Sequence, residues 1–372
     1  MADSVPGRPT SRRAPRHVPG VACGTVPAVS VGVMAETAPD RTDLADLVLE
    51  GGGVKGIGLV GAAMRLAEHG YGFPRVAGTS AGAVVASVLA ALQRRGERLD
   101  RLAEITRTLD YTRFRDRGLV GRALGPLGFL TDGFSLLLED GVFEGDYLQD
   151  WLSGVLADLG VHTFGDLRTD DPDDDGTLHH RYALVVTASD VSRQRFVRLP
   201  WDYADYGLDP DEQPVAEAVR ASSSIPFFFE PVRLRGQYGV ATLVDGGLLS
   251  NYPITTFDRQ DRRRPRWPTL GVRLSVPADE RAGPPRQVRG PVALGLSLVE
   301  TAIEGSQAVQ ALDPCNVARS VFVDTSRVGA VDFGISDEEQ EQLLATGRKA
   351  AEDFLGGWDF PGWLRECRGV RR

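Results

Sequence analysis

The chain has 372 residues, enough to bury the core of one large α/β domain or of two smaller domains. Hydrophobic residues make up 42% and charged residues 25% of the sequence, and both fractions are ordinary for a soluble globular protein. The formal net charge of −9 argues against bulk attraction to nucleic acid, so we expect no nucleic-acid partner. No apolar run approaches the roughly 18 residues that a transmembrane helix needs, so we expect no membrane-spanning segment.

The three cysteines, Cys23, Cys315 and Cys367, are odd in number, widely spaced and in no pattern typical of a metal site. This usage favours a reduced compartment. We therefore predict a cytoplasmic protein that could associate with a membrane from its surface.

The first 43 residues are expected to precede the folded domain. Arg12 and Arg13, followed by an apolar stretch over residues 18–35, resemble a twin-arginine signal peptide. Glycines and prolines interrupt that stretch and make it a poor signal. We favour two other interpretations over a signal peptide: a disordered leader, or an overlong N-terminus whose true start is Met34.

A glycine-rich corner follows the apolar run at residues 47–49, which is typical of a buried parallel strand. Apolar residues at helical spacing then predict a helix that stops near Gly70. The corner spells G-x-G-x-x-G, as a dinucleotide site does, but such a site expects an acidic residue about 20 positions on, and none lies between Gly70 and Ser80. We therefore favour main-chain amides that form an oxyanion hole. The corner consists of Gly51, Gly52, Gly53, Val54, Lys55 and Gly56.

A second glycine corner reads G-x-S-x-G, from Gly78 to Gly82 with Ser80 at its centre. Val76 and Ala77 predict a short strand before it, and an apolar helix follows. This order is typical of a nucleophile elbow, in which glycine two residues either side of the serine avoids a clash of Cβ atoms. The N-terminus of the following helix favours negative charge near the serine. A plain small-residue turn is the alternative, and the flanking strand and helix favour the elbow.

The middle of the chain offers fewer signals. Residues 97–109 are predicted to continue the second helix, and residues 145–159 to form another. Between them, residues 113–140 are apolar in patches and form either a mobile lid or an irregular part of the core, which we favour. Residues 170–176 match the front half of a calcium loop, but Tyr182 stands where that loop needs its glutamate. A solvated surface loop is the favoured interpretation.

In the second half, short apolar runs predict strands at residues 182–187, 196–199, 242–244, 269–274 and 320–324. Helical spacing and a capping box predict helices at residues 215–222, 291–311 and 336–355. The strand at residues 242–244 ends at Asp245, and two glycines follow. An aspartate at the C-terminal end of a strand lies where α/β sheets carry their chemistry, although a simple Asp-Gly turn is the alternative.

A serine nucleophile needs a proton acceptor, usually a histidine. In the α/β-hydrolase order the histidine follows the acid. None of the five histidines follows Asp245, and they are His17, His69, His162, His179 and His180. Counting therefore excludes such a triad with Asp245 as its acid. A direct dyad of Ser80 and Asp245 is the economical alternative.

Three motifs in this order, at residues 51–56, 78–82 and 245–247, resemble the patatin-like phospholipases of the bacterial type. Residues 221–226 are also similar to that family's connecting segment. The resemblance covers roughly residues 44–324. It implies an α/β fold in three α/β/α layers, with a central, mostly parallel sheet between helices, a nucleophile elbow, and neither a metal nor another cofactor.

The resemblance also implies roles for residues of this chain. Ser80 would be the nucleophile that accepts the acyl group, and Asp245 the base that later activates the water releasing the fatty acid. The amides of the glycine corner and of Ala81 would hold the oxyanion. Glu50 stands where many members carry aspartate, and we expect this difference to be neutral. The glycines that shape the elbow and the aspartate turn would be Gly78, Gly82, Gly246 and Gly247.

The implied layout is a leader at residues 1–43, a catalytic domain at residues 44–330, and a C-terminal helix and tail at residues 331–372 that pack on it. The implied function is hydrolysis of carboxylic esters of phospholipids or lysophospholipids, with a lipid or membrane-interface substrate as the partner. A non-catalytic lipid-binding or signalling module on the same fold is one alternative, which the complete motifs disfavour. A nucleotide-binding oxidoreductase is another, which the missing acidic residue disfavours.

Overall fold

The computed structural model describes residues 43–114, 145–169, 181–259, 263–274 and 313–369, and in addition residues 288, 290, 294–295, 297–303 and 305. The predictions for the leader, for most of the patchy apolar segment and for the acidic loop therefore lie outside the described residues. The helix predicted at residues 291–311 is described only in part, and the described residues from 294 to 305 are helical.

The structure describes ten strands. They are β1 (Asp43–Leu44), β2 (Asp46–Leu49), β3 (Tyr71–Gly72), β4 (Val76–Thr79), β5 (Leu184–Asp190), β6 (Arg195–Leu199), β7 (Val232–Gly236), β8 (Gly239–Asp245), β9 (Thr269–Arg273) and β10 (Ser320–Phe322). The sequence did not predict β1, β3 and β7, whereas the other seven lie at predicted apolar runs. β1 and β3 form a small parallel pair. The other strands form one eight-stranded sheet in the order β10-β9-β2-β4-β5-β8-β7, and β6 also pairs with β5.

The centre of this sheet is parallel. β10, β9, β2, β4 and β5 pair in parallel, whereas β6 and β8 run antiparallel to β5, and β7 runs antiparallel to β8. Every residue of β2, β4, β5 and β9 is buried, as expected of parallel strands with both faces covered. The predicted α/β fold, with a mostly parallel central sheet flanked by helices, is confirmed.

The helices are α1 (Ile57–Glu68), α2 (Ala81–Arg95), α3 (Arg101–Thr106), α4 (Asp146–Asp158), α5 (Val215–Ser222), α6 (Gly247–Ser250), α7 (Pro314–Val317), α8 (Asp337–Leu355) and α9 (Phe360–Cys367). Short 3-10 turns occur at Gly53–Gly56, Tyr111–Phe114, Phe164–Leu167, Trp201–Tyr206 and Pro210–Glu212. Within the described ranges, no helix combines the length and the apolar character that crossing a bilayer requires.

α8 and α1 pack closely against each other. α8 begins at the predicted capping box, in which the side chains of Ser336 and Glu339 each accept the other residue's main-chain N–H. Gly61 of α1 and Gly347 of α8 each lie against the main chain of the opposite helix, where a Cβ would overlap a carbonyl oxygen. The two glycines therefore set the distance between the helices.

The predicted continuous helix over residues 97–109 is wrong. α2 ends at Arg95, and Gly96 caps it in the left-handed conformation with a φ of 70°. The Gly96 N–H donates to the carbonyl of Gln93 over 3.0 Å, which completes the last turn. Glycine adopts this conformation without steric cost, so the chain turns here and resumes as α3 at Arg101.

A disulfide joins Cys315, in α7, to Cys367, at the end of α9. Buried Trp363 fastens the same contact, because its indole N–H donates to the carbonyl of Cys315 over 2.8 Å. The odd count and wide spacing of the cysteines did not indicate that two of them are paired. The disulfide therefore removes the cysteine argument for a reduced compartment.

Candidate active site

Ser80 lies at a sharp turn between β4 and α2. Its main chain has φ 52° and ψ −124°, which costs a residue with a Cβ about 1–3 kcal/mol. The glycines two residues either side allow this turn. A Cβ on Gly78 would overlap the main chain of Gly82, and a Cβ on Gly82 would overlap the carbonyls of Leu49 and Glu50. The turn therefore has the geometry of the predicted elbow.

Asp245 lies beside Ser80. It is only 2% exposed, and the Ser80 hydroxyl is close enough to its carboxylate to lower the pKa of Asp245. The N–H of Gly247 donates to the same carboxylate over 2.7 Å. Burial raises the pKa of Asp245 from its ordinary value of 3.8 to about 6, while the Ser80 hydroxyl and the Gly247 N–H act in the opposite direction. The described histidines, His69 and His162, are exposed and line neither cavity that contains Ser80.

Asp245 ends a strand, as predicted, but that strand is antiparallel to its neighbour. β8 runs antiparallel to β5 and pairs Asp245 with Ala188. The last residue of β4, Thr79, pairs with Thr187 on the other side of β5. Ser80 follows Thr79, so Ser80 and Asp245 both lie level with Ala188. The two strands therefore bring the side chains together from opposite directions.

The glycine corner provides fewer oxyanion donors than the sequence suggested. Three of its N–H groups already donate to main-chain carbonyls: Gly51 to Asn251 over 3.0 Å, Val54 to Ala330 over 3.1 Å, and Lys55 to Gly52 over 3.2 Å. Gly56 has a packing role, because a Cβ there would lie 2.9 Å from the Cβ of Ala81. These four residues therefore shape the corner, and their amides are not the best candidates for holding an anion.

Three amides remain as candidate donors. Among the described residues, the N–H groups of Gly52, Gly53 and Ala81 have no acceptor. Gly52 and Gly53 line the same cavity as Ser80, and Ala81 opens α2 directly after it. Gly53 has a φ of 57°, and a Cβ there would overlap the carbonyl of Ala330.

Asn251 connects the glycine corner to the turn after Asp245, and no sequence pattern singled it out. The side-chain amide of Asn251 donates to the carbonyl of Gly51 over 3.0 Å, and the main-chain carbonyl of Asn251 accepts the N–H of Gly51 over 3.0 Å. Its side-chain oxygen lies beside Gly247, where a Cβ would approach it to 2.8 Å. The residue is buried and 200 positions from Gly51, so no local pattern could have identified it.

The last residue of α5 and the turn that follows it contact Ser80 and Asp245. The Ser222 hydroxyl accepts the N–H of Ser80 over 2.8 Å. The carbonyl of Ser224 accepts the N–H of Asp245, also over 2.8 Å. The predicted connecting segment at residues 221–226 thus lies against the site.

Glu50, the residue directly before the glycine corner, is held by contacts to residues at the end of β9. The residue is buried, its carboxylate accepts the N–H of Leu274, and it lies 3.6 Å from the guanidinium of Arg273. The Arg273 guanidinium also packs over the ring of Tyr252, 5.0 Å from its centre. Glu50 therefore ties the end of β2 to the end of β9, and it also lines the larger cavity that contains Ser80.

Two cavities meet at Ser80. One is small, about 70 Å³, and almost wholly apolar; its walls include Ile57, Val84, Val85, Leu148, Phe229 and Phe333. The other is about 550 Å³ and mixed in polarity; it contains Asp245 and the charged residues Glu50, Lys55, Glu300 and Arg327. The described residues contain no group of three or more histidine, cysteine, aspartate or glutamate side chains placed to hold a metal ion.

Comparison with known proteins identifies the family of the chain. A family model for patatin-like phospholipases matches residues 47–258. The uncharacterized protein YqhO of Bacillus subtilis is 35% identical over 317 residues, covering 85% of this chain and 99% of that protein. An uncharacterized NTE family protein of Mycobacterium bovis is 25% identical over 322 residues, covering 83% of this chain but only 46% of that protein. The crystal structure of VipD from Legionella pneumophila matches with a TM-score of 0.47 and 19% identity, covering 84% of this chain and 66% of that one. The chain belongs to the patatin-like phospholipase family.

Proposed function

We propose that the protein is a lipid acyl hydrolase that cleaves carboxylic ester bonds of phospholipids or lysophospholipids through an acyl-enzyme. Family membership supports lipid hydrolysis in general. The observation that carries the specific reaction is the position of the Ser80 hydroxyl beside the buried Asp245 carboxylate, in a cavity that both residues line. A serine with a neighbouring base, at the mouth of an apolar cavity, is the arrangement that nucleophilic acyl transfer requires.

In the first half-reaction, Ser80 Oγ attacks the ester carbonyl carbon and its proton passes to Asp245. The negative charge that forms on the carbonyl oxygen is held by the amides of Gly52, Gly53 and Ala81. Each such donor is worth about 100- to 1000-fold in rate. Asp245 then gives the proton to the departing alkoxide, the ester bond breaks, and the acyl group stays on Ser80.

In the second half-reaction, water attacks the acyl-enzyme. Asp245 takes a proton from the water, and the same amides hold the second oxyanion. When the tetrahedral intermediate collapses, Ser80 Oγ recovers the proton and the fatty acid leaves.

The raised pKa of Asp245 suits a base that works near neutral pH. A carboxylate with a pKa of about 6 is largely ionised at pH 7, yet binds a proton more strongly than an ordinary aspartate. Burial is the main cause of this shift, so the closed surroundings of Asp245 also tune its basicity.

The two cavities divide the substrate by polarity. The apolar cavity faces the acyl chain, whereas the larger cavity takes the glycerol and head group. Lys55 and Arg327 give the larger cavity positive groups that suit a phosphate. We place the catalytic domain at residues 44–330, with residues 331–372 packed on it. That C-terminal segment also contributes Val331 and Phe333 to the cavity walls.

The test is hydrolysis of a short-chain p-nitrophenyl ester by the wild type, Ser80→Ala and Asp245→Asn. We expect each variant to lose at least about 1000-fold in kcat, because nucleophile and base act as one unit. Fatty-acid release from phosphatidylcholine and lysophosphatidylcholine then identifies the lipid class. Equal rates in all three proteins would overturn the proposal. An inactive wild type that still binds these lipids would favour the non-catalytic module instead.

A further inference from the structure

The last residue of α5 and the turn that follows it hold the main chains of both proposed catalytic residues. Ser222 is fully buried, and its hydroxyl accepts the N–H of Ser80 over 2.8 Å. Two residues on, the carbonyl of Ser224 accepts the N–H of Asp245 over 2.8 Å. This short segment therefore sets the position of one member of the pair relative to the other.

We infer that Ser222 is a positioning residue, whose hydroxyl holds the main chain of Ser80 so that the Ser80 hydroxyl meets the Asp245 carboxylate. This inference rests on the function proposed above. It assigns Ser222 no contact with the substrate, since Ser222 lines neither of the cavities that contain Ser80.

Ser80 needs such support because its conformation is unfavourable by itself. Its φ of 52° is one that residues with a Cβ rarely adopt. Within the described part of the chain, the Ser222 hydroxyl is the only acceptor for the Ser80 N–H. Without it, a buried N–H would lose its partner at the strained residue, and both effects favour rotation of Ser80 away from its present position.

Ser222 can act in this way because its surroundings are fixed. Arg220, two residues before Ser222 on α5, is buried. It donates to the Ser224 hydroxyl over 2.5 Å and to the carbonyl of Glu230 over 3.0 Å. The Ser224 hydroxyl in turn donates to the carbonyl of Arg220 over 2.9 Å. Hydrogen bonds therefore fix the chain at Arg220 and at Ser224, on either side of Ser222.

The expected consequence lies in the chemical step. A misplacement of about 1 Å at a reacting group can cost about 100-fold in rate. In Ser222→Ala we expect kcat to fall at least about 10-fold, while KM stays within about twofold because the cavity walls are unchanged. The Ser80 hydroxyl lowers the pKa of Asp245. The charged residues Glu50, Lys55, Glu300 and Arg327 line the same cavity as Asp245, and Ser222→Ala changes none of these side chains. Displacement of the Ser80 hydroxyl should therefore move the acid limb of the pH–rate profile to higher pH.

The experiment compares Ser222→Ala with Ser87→Ala in the full chain. Ser87 is also fully buried, lies on α2 after the elbow, and donates only to the carbonyl of Val84 over 2.8 Å. Its replacement controls for the loss of a buried hydroxyl. The readouts are kcat, KM and the pH profile on the p-nitrophenyl ester, the rate of labelling by a fluorophosphonate probe, and the melting temperature.

We expect Ser222→Ala to lose kcat and labelling rate together, and Ser87→Ala to keep both within about twofold of the wild type. If Ser222→Ala does not yield folded protein, Ser222→Cys, which is nearly isosteric but a poorer acceptor, is judged by the same thresholds. Equal kcat and labelling rates in the two variants would overturn the positioning role. So would a change in KM alone. An inactive wild type would instead refute the proposed function, so the two failures are distinguishable.

Discussion

Replacement of Asp245 by asparagine should stabilise the fold while it abolishes activity. Burial raises the pKa of Asp245 from 3.8 to about 6, which means that the folded state disfavours the ionised carboxylate. A shift of about two units, at about 1.4 kcal/mol per unit, corresponds to a penalty of about 3 kcal/mol in the free energy of unfolding at neutral pH. Asparagine has a similar shape and cannot ionise, so the variant avoids this penalty.

The pH dependence distinguishes this effect from any other consequence of the substitution. Below about pH 4 the carboxyl is protonated in both the folded and the unfolded wild type, and ionisation costs no stability. Between about pH 4 and pH 6 the unfolded chain releases its proton first, so the wild type loses stability as the pH rises. Above about pH 6 the loss is complete. The stability gained by Asp245→Asn should therefore be about twice as large at pH 8 as at pH 5.

The assay is chemical denaturation of the wild type and Asp245→Asn at pH 5, 6, 7 and 8. Asp150, an exposed aspartate on α4, supplies the control: Asp150→Asn should show no such trend. A stability difference between Asp245→Asn and the wild type that stays constant from pH 5 to pH 8 would refute the reasoning, because it would mean that burial does not penalise the Asp245 carboxylate.

Four further predictions follow from the same contacts. The rate kcat/KM on a soluble ester should rise through about pH 6 and then level off, because Asp245 must be ionised to act as the base; a profile that is flat from pH 5 to pH 8 would contradict this role. Asn251→Ala should lower kcat/KM at least about 10-fold and cost about 1–3 kcal/mol in stability, because the buried carbonyl of Gly51 loses its side-chain donor; unchanged kinetics would show that the corner keeps its shape without it. Gly53→Ala should reduce both stability and kcat, since its φ is 57° and a Cβ would overlap a carbonyl, whereas Gly154→Ala, on the open surface of α4, should be harmless. Reduction of the disulfide that closes the 52-residue separation should lower the free energy of unfolding by about 2–4 kcal/mol, measured by denaturation with and without reductant; an equal midpoint would mean that α9 is held by packing alone.

The parts of the site that local sequence encodes were predictable. The elbow follows from glycines two residues either side of Ser80 and from apolar runs before and after it, since each constraint acts within a few residues of the turn. Counting histidines excluded a triad with Asp245 as its acid and left a dyad of Ser80 and Asp245 as the economical alternative. In both cases the chemistry leaves few residue types that fit the position.

The remaining features depend on contacts between distant parts of the chain. Asn251 and Ser222 are polar residues without a pattern of their own, and their importance arises because folding places them against Gly51 and Ser80. Which amides stay available for an oxyanion depends likewise on the carbonyls that come to lie beside the corner, including that of Ala330.

The direction of β8 and the pairing of the cysteines could not be predicted from the sequence, because both also depend on contacts between distant parts of the chain. A run of apolar residues predicts β8 but does not say that it runs antiparallel to β5, and that direction is what brings Asp245 level with Ser80. The spacing of Cys315 and Cys367 does not indicate that α9 folds back on α7.

The most direct test of the central claim, that Ser80 is a nucleophile activated by Asp245, is labelling with a fluorophosphonate probe followed by mass spectrometric mapping of the modified peptide. The account predicts a single adduct on Ser80 in the wild type, no adduct in Ser80→Ala, and labelling slowed at least about 100-fold in Asp245→Asn. An adduct on a different residue, or labelling of Asp245→Asn at the rate of the wild type, would contradict it.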